Sequence, residues 1–128
     1  MTFPYVDGDP IVPLKIQAEN ESWYDTFAYV DSGAGYSVFH ADYAKALGIN
    51  LKSGKSGRKI NLLVGNGSKI ETFVHKIPVR FANQEFVAEI SFSSGLGIGT
   101  NILGMKSFFD KFRICFNNKK RIVEVKSS

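Results

Sequence analysis

The chain has 128 residues, of which 44% are apolar, so its size and composition predict one globular domain over residues 1–128 and exclude a chain that is disordered throughout. Sixteen basic and twelve acidic residues give a net charge of +4, which suits an acidic partner but is also ordinary for a soluble protein, and no apolar run approaches the roughly 18 residues of a membrane span. The single cysteine, Cys115, excludes an internal disulfide and a cysteine-rich zinc site, and because residues 1–10 lack the basic and apolar blocks of a secretory signal, we expect a cytoplasmic protein without a membrane partner.

The first part of the chain alternates between apolar and polar residues with a period of two, as strands with one wet face do. Residues 12–18 and 23–30 predict two strands around a turn, and a tight Asp-Ser-Gly-Ala-Gly turn at residues 31–35 leads to a short strand at residues 36–39. Residues 40–47 predict a helix of about two turns that ends before a glycine.

The second part of the chain predicts a hairpin followed by further strands. A Gly-Asn-Gly-Ser turn at residues 65–68 separates strands at residues 60–64 and 70–81, because Asn and Gly tolerate the positive φ of hairpin turns. The later predicted elements are a strand at residues 86–92, a short helix at residues 105–111, and strands at residues 112–116 and 121–126. Short strands with turns about every 8–12 residues are typical of an all-β fold, here a small closed or half-closed β-barrel with one or two short helices.

The segment with the most chemical information is Asp31-Ser32-Gly33, which follows the aromatic and β-branched strand at residues 23–30. A strand that ends in a tight turn holds a carboxylate rigidly and lets backbone amides point at it, and a glycine allows another backbone to approach closely. Taken alone, these residues also fit an ordinary turn whose aspartate accepts backbone hydrogen bonds. The context adds information, since an Ile-Leu-Gly turn and a short helix follow about 70 residues later.

Three motifs, in this order along the chain, resemble those of the retropepsin-like aspartic proteases, the retroviral-protease type. The first is Val-Asp-Ser-Gly-Ala at residues 30–34, which resembles the active-site motif of that family. The second is the hairpin tip at residues 64–68, in the position of the family's flap. The third is Asn-Ile-Leu-Gly at residues 101–104, before the C-terminal helix, which resembles the family's two apolar residues followed by glycine. Their order and spacing agree over residues 12–125, so the resemblance covers nearly the whole chain.

The resemblance implies an aspartic endopeptidase that acts on a polypeptide substrate and uses no cofactor and no metal. Peptide hydrolysis without a metal needs one carboxylate to activate a water and a second, protonated carboxyl to polarise the carbonyl. The chain contains one Asp-Ser-Gly motif. The resemblance therefore implies a symmetric homodimer in which the Asp31 side chains of two copies meet, one as base and the other as acid.

The resemblance also assigns supporting roles to the residues around this aspartate. Ser32 is expected to hydrogen-bond across the dimer, Gly33 to give backbone access near the carboxylates, and Ala34 to pack behind the turn. The substrate-binding flap is expected to comprise Gly65, Asn66, Gly67 and Ser68. The residues expected to buttress the active-site turn are Ile102, Leu103 and Gly104.

Two features depart from the family pattern. The Asp-Ser-Gly motif replaces the commoner viral Asp-Thr-Gly and retains the hydroxyl. Met105 and Lys106 follow Gly104 where viral members often carry an arginine that makes an intersubunit ion pair. We therefore do not expect an ion pair of that kind in the dimer, and the strand at residues 121–125 is the alternative candidate for the interface.

Two other functions stay open at this point. The same dimeric fold can bind an extended peptide or protein partner without cleaving it. The net charge and the basic loop at residues 52–59 also fit a small barrel that binds nucleic acid, which is the least favoured partner because the phenylalanines alternate as core residues do. His40 and His75 lack the spacing of a metal-binding pair, so we expect the first at a helix start and the second half-buried with a hydrogen-bond partner.

Overall fold

The structure of the chain, a computed structural model, describes residues 1–51, 58–63, 67–95 and 100–128. Within these ranges the chain forms ten strands, one α-helix and one kinked helical segment. The strands are β1 (Thr2–Pro4), β2 (Ile11–Gln17), β3 (Trp23–Val30), β4 (Ser37–His40), β5 (Arg58–Leu63), β6 (Lys69–Phe81), β7 (Gln84–Ser93), β8 (Asn101–Leu103), β9 (Phe112–Asn117) and β10 (Ile122–Ser127). Helix α1 is Ala41–Ala46, and the kinked helical segment is Met105–Phe109.

Seven of these strands form one sheet that closes on itself into a six-stranded barrel. The order around the barrel is β2-β3-β8-β4-β7-β6, and β6 returns to β2 through Lys15 opposite Arg80 and Ile16 opposite Val79. β5 lies outside the closed ring, where its one neighbour among the described strands is β6. The predicted all-β fold, a small closed barrel with only short helices, is therefore confirmed.

The hydrophobic core fills the inside of this barrel because successive residues of a strand point to opposite faces. In β2, Val12, Leu14 and Ile16 are buried, while the residues between them are exposed. Phe39 of β4 and Phe92 of β7 are fully buried, with ring centroids 6.3 Å apart in an edge-to-face arrangement. Burial of each large side chain contributes roughly 1.5–3 kcal/mol, so the barrel interior fixes the strands that carry the candidate site.

Both ends of the chain lie in a second sheet of three antiparallel strands, in the order β1-β10-β9. β1, which the sequence did not predict, pairs with β10 through Phe3 opposite Val123, and the Phe3 ring stacks on Phe81 at 5.8 Å. Because β10 has a neighbour on each side, it offers no open edge to a partner strand. The strand predicted at residues 121–125 therefore cannot supply a dimer interface by adding a partner's strand to its own backbone.

The two predicted elements next to the basic loop shift by a few residues. Helix α1 is shorter than predicted and begins after His40, whose Nδ1 accepts a hydrogen bond from the Asp42 amide at 3.1 Å. β5 begins at Arg58, so Arg58 and Lys59 lie in a strand and not in the predicted loop. Both make ion pairs with glutamates, at 3.7 Å and 3.0 Å. The remaining loop residues, 52–57, lie outside the described residues.

The helix predicted at residues 105–111 is wrong as a regular helix. Lys106 has an extended backbone, with φ −62° and ψ 126°, and Ser107 has a left-handed one, with φ 71°. The Ser107 hydroxyl accepts a hydrogen bond from the Glu89 amide at 3.0 Å, which holds the kink against β7. No helix within the described ranges has the length and apolar content to cross a membrane.

Candidate active site

Asp31 lies immediately after β3, where the apolar strand gives way to a turn. Its amide donates to the Leu103 carbonyl at 3.0 Å, and its carbonyl accepts from the Ala34 amide at 3.2 Å. Its Oδ1 accepts a hydrogen bond from the Gly33 amide at 2.9 Å. The side chain is half-buried, and its Oδ2 accepts no hydrogen bond from the described residues. The carboxylate is thus fixed by one oxygen and keeps the other available for chemistry.

The strand pairing explains how the second predicted motif reaches this turn. β8 lies between β3 and β4, the two strands that the turn connects. It runs parallel to β3, with Val30 opposite Leu103, and antiparallel to β4, with Val38 opposite Ile102. Parallel pairing places the ends of β3 and β8 at the same edge of the sheet. Asp31 and Gly104, which are far apart in the sequence, are therefore neighbours.

The Gly104 backbone lies close against the turn that follows Asp31. A Cβ atom there would lie 2.5 Å from the Tyr36 carbonyl oxygen and 2.6 Å from that of Ala34, distances that side chains do not tolerate. The Gly104 amide donates to the buried Ser37 hydroxyl at 3.0 Å. The next amide, that of Met105, donates to the Ala34 carbonyl at 2.8 Å. Two of the residues predicted to buttress the turn, Leu103 and Gly104, thus contact it or its flank, while Ile102 lies opposite Tyr29 and Val38 in the neighbouring strands.

Gly33 and Ser32 are both exposed in the turn, but their surroundings differ. A Cβ atom on Gly33 would lie 3.2 Å from Asp31 Oδ1, so the glycine leaves room around the carboxylate. The Ser32 hydroxyl makes no hydrogen bond to the described residues of its own chain. Tyr29, near the end of β3, lies opposite Ile102 of β8, and both are half-buried. This pair is a partly apolar feature of the two strands that lead to the turn.

A buried amide that the sequence reading missed joins three strands behind the turn. Asn101 Oδ1 accepts from the His40 amide at 3.2 Å, and its Nδ2 donates to the Thr26 hydroxyl at 3.3 Å and to the Phe27 carbonyl at 3.4 Å. It thereby links β8 to both β4 and β3. Its one signal in the sequence is a polar residue directly before Ile-Leu-Gly, which equally fits an exposed strand start.

The predicted flap coincides with the hairpin formed by β5 and β6, whose last described pair is Leu63 opposite Lys69. Gly67, at the tip, has φ 85°, which fits the predicted turn. Ser68 is exposed and precedes β6. Gly65 and Asn66 lie outside the described residues.

The other chemically reactive side chains lie in separate structural settings. His75 is buried and not half-buried as predicted, and its Nε2 lies 3.2 Å from the Leu51 carbonyl oxygen, which is the expected hydrogen-bond partner. Cys115 is exposed on β9. The described residues contain no group of three or more potential metal ligands. Two cavities of about 450 and 380 Å³ lie elsewhere on the molecule, and Asp31 lines neither.

Among solved structures, the chain is similar to the EIAV protease complexed with the inhibitor HBY-793. The two chains are 21% identical, the alignment covers 77% of this chain and 84% of that chain, and the TM-score is 0.54. The fold is that of a retroviral protease. No family model and no curated protein matches the sequence, so the likeness is one of three-dimensional structure.

The retroviral-protease fold of this chain carries one Asp-Ser-Gly turn per copy. In this turn Asp31 is half-buried, and Ser32 and Gly33 are exposed. Such a turn supplies a single carboxylate. Acid-base chemistry of the two-carboxyl kind needs a second one from outside the protomer.

Proposed function

We propose that this chain is an aspartic endopeptidase whose active site forms when two copies bring their Asp31 side chains together on a twofold axis. The observation that carries the proposal is the geometry of Asp31. Asp31 directly follows β3 in a retroviral-protease fold, is hydrogen-bonded to Leu103 and Gly33, and is the only aspartate in the sequence that stands in an Asp-Ser-Gly motif. One copy holds half of the required pair, so the site is complete only in the dimer.

The proposed chemistry uses two carboxyls that share one proton. At a separation of about 3 Å two carboxylates cannot both ionise, so one is protonated and the other charged. The charged carboxylate takes a proton from a water molecule, and the oxygen of that water bonds to the carbon of the peptide carbonyl. The protonated carboxyl gives its proton to the carbonyl oxygen. When the tetrahedral intermediate collapses, the C–N bond breaks and the nitrogen takes the proton that the first carboxyl received from water. At the same time one hydroxyl of the intermediate returns its proton to the second carboxylate as the C=O bond forms again. The pair therefore ends with one shared proton, as it began.

The surrounding residues fit supporting roles in this proposal. The Ser32 hydroxyl, which has no partner among the described residues of its own chain, would hydrogen-bond across the dimer and lock the two turns together. Ala34 would pack behind the turn, and its carbonyl accepts a hydrogen bond from the Met105 amide at 2.8 Å. The half-buried pair of Tyr29 and Ile102 would contact apolar side chains of an extended peptide. The β5–β6 hairpin would close over that peptide, exclude water and donate backbone hydrogen bonds.

The experiment compares Asp31→Asn with Asp25→Asn in the cleavage of an unfolded protein from about pH 3 to pH 7. Asparagine keeps the shape of the side chain but cannot exchange the proton, so we expect D31N to lose at least about a hundredfold in rate while remaining a folded dimer. Asp25 lies on the same strand, exposed and paired with Lys15 at 2.6 Å, and D25N should cleave like the wild type. Equal cleavage by D31N would refute the mechanism.

The same experiment separates the proposal from a module that binds peptides without cleaving them. Wild-type protein that binds an extended peptide but shows no Asp31-dependent cleavage across the pH range would support the binding module. Binding to DNA or RNA that weakens steeply with salt would support a nucleic-acid function. The ion pairs of Arg58 and Lys59 with glutamates argue against that last outcome.

A further inference from the structure

We propose that Glu89 is a positioning residue that ties the first arm of the flap hairpin to the active-site turn; this inference rests on the proposed protease function. Glu89 lies in β7, and its carboxylate stands between two cations. Oε1 is 3.7 Å from Arg58 Nη2, and Oε2 is 3.4 Å from Lys106 Nζ. The two cations come from different elements, β5 and the kinked helical segment.

This carboxylate differs from the other ion-paired acids in its burial. The Glu89 side chain is 19% exposed, while the acidic partners in the remaining described ion pairs are all more than half exposed. Charges that are partly withdrawn from water attract one another more strongly and are screened less by salt. The bridge through Glu89 is therefore the surface ion-pair cluster with the largest expected effect on structure.

One end of the bridge is attached to the active-site turn through the backbone. The Lys106 amide donates to the Gly35 carbonyl at 2.9 Å, four residues after Asp31. The Glu89 amide donates to the Ser107 hydroxyl at 3.0 Å, which supports the left-handed backbone of Ser107. Glu89 thus contacts the segment beside the turn with both its backbone and its side chain.

The other end of the bridge holds the outermost strand of the flap hairpin. β5 has β6 as its one described neighbour, and Arg58 begins β5 opposite Val74. An edge strand with one neighbour opens more readily than a strand paired on both sides. The Arg58–Glu89 contact attaches the base of this strand to β7, a central strand of the barrel. The Glu89 side chain therefore connects the flap arm, through Arg58, with the segment beside the active-site turn, through Lys106.

Loss of the Glu89 charge should release the base of β5 without removing any group that touches the substrate. The variant Glu89→Gln keeps the side-chain shape and the hydrogen bond from the backbone amide of residue 89 to the Ser107 hydroxyl. It loses the electrostatic attraction of the carboxylate for Arg58 and Lys106. We expect the flap arm to open more often, so KM should rise by about fivefold while kcat stays within about twofold. A purely structural role would lower the amount of folded enzyme and would leave KM unchanged.

The test combines kinetics with hydrogen exchange of β5, and its control is Glu85→Gln. Glu85 lies on the same strand, is exposed, and pairs with Arg80 at 2.8 Å near the β6–β7 turn. We expect amides of residues 58–63 to exchange about fivefold faster in E89Q, with no change in E85Q. Arg58→Gln should reproduce the effect, and adding it to E89Q should change nothing further.

The outcomes separate this inference from the proposed function. If the wild type does not cleave peptides, the protease proposal fails, and the exchange of residues 58–63 still tests the bridge. If the wild type cleaves, and E89Q matches it in both exchange and KM, the bridge is refuted and the protease proposal stands. Should E89Q fail to fold, Arg58→Gln and Lys106→Gln test the bridge from its exposed ends, where the side chains are 55% and 47% exposed.

Discussion

Gly104 and Asp31 belong to one packed unit, although they are 73 positions apart in the sequence. The Asp31 amide donates a hydrogen bond to the Leu103 carbonyl, and the Gly104 backbone lies against the carbonyl oxygens of Ala34 and Tyr36, which follow Asp31. The position of the carboxylate is therefore set by backbone contacts on both sides. In the proposed dimer, a carboxylate fixed in this way would meet its counterpart without losing side-chain freedom on association.

Replacement of Gly104 by alanine should destabilise the protein by about 1–3 kcal/mol, because the new methyl group would overlap two backbone oxygens that cannot move independently. Chemical denaturation measures the change in the free energy of unfolding. Gly35→Ala is the matched control, since Gly35 lies in the same turn and nothing lies within 4 Å of its Cβ position. A G104A variant as stable as G35A would contradict the close packing of Gly104 against the carbonyl oxygens of Ala34 and Tyr36.

The sequence identifies Asp31 and Gly104 as candidate site residues, but it does not indicate the role of Asn101. Asp31 and Gly104 stand in short motifs whose spacing identifies them. Asn101 acquires its role from partners on two other strands, Thr26 and His40, at distances in the chain of 75 and 61 residues. The same letter at the start of a strand fits an exposed residue equally well. A buried amide is recognised only once the strand order is known.

The terminal sheet shows how an element can arise from pairing alone. β1 has three residues, too few for an apolar alternation to be visible, and it forms because β10 offers an edge to it. The longer strands, such as β6 and β7, carry their alternation in the sequence and were predicted. The kink at Ser107 was not predicted, because its left-handed backbone is supported by Glu89, which is distant in sequence.

Truncation of Phe3 to alanine should cost about 3–5 kcal/mol, because its buried ring packs against Phe81 in the core. Thermal or chemical unfolding measures this loss. Phe116→Ala is the matched control, because Phe116 is an exposed phenylalanine of the same sheet and its loss should cost clearly less. If F3A and F116A had the same free energy of unfolding, β1 would be dispensable for the fold.

At the scale of the whole molecule, the proposed chemistry places the symmetry axis within a few ångströms of Asp31, since two carboxyls must share one proton. Residues tied to the active-site turn must then lie in or beside the interface. Met105 meets this condition, because its amide is bonded to the Ala34 carbonyl and its side chain is exposed. An exposed apolar side chain at a twofold axis would be covered by its own copy in the partner.

Met105→Glu should therefore weaken the dimer by at least about tenfold in Kd, because two carboxylates would be brought together where two apolar side chains had met. Sedimentation equilibrium measures the Kd directly and requires no activity. Val87→Glu is the control, because Val87 is an exposed apolar residue of β7 whose position carries no such constraint. If the M105E dimer is as stable as the V87E dimer, the interface lies elsewhere and the two Asp31 side chains cannot meet. If M105E alone loses both the dimer and the cleavage activity, the dimer is required for the chemistry.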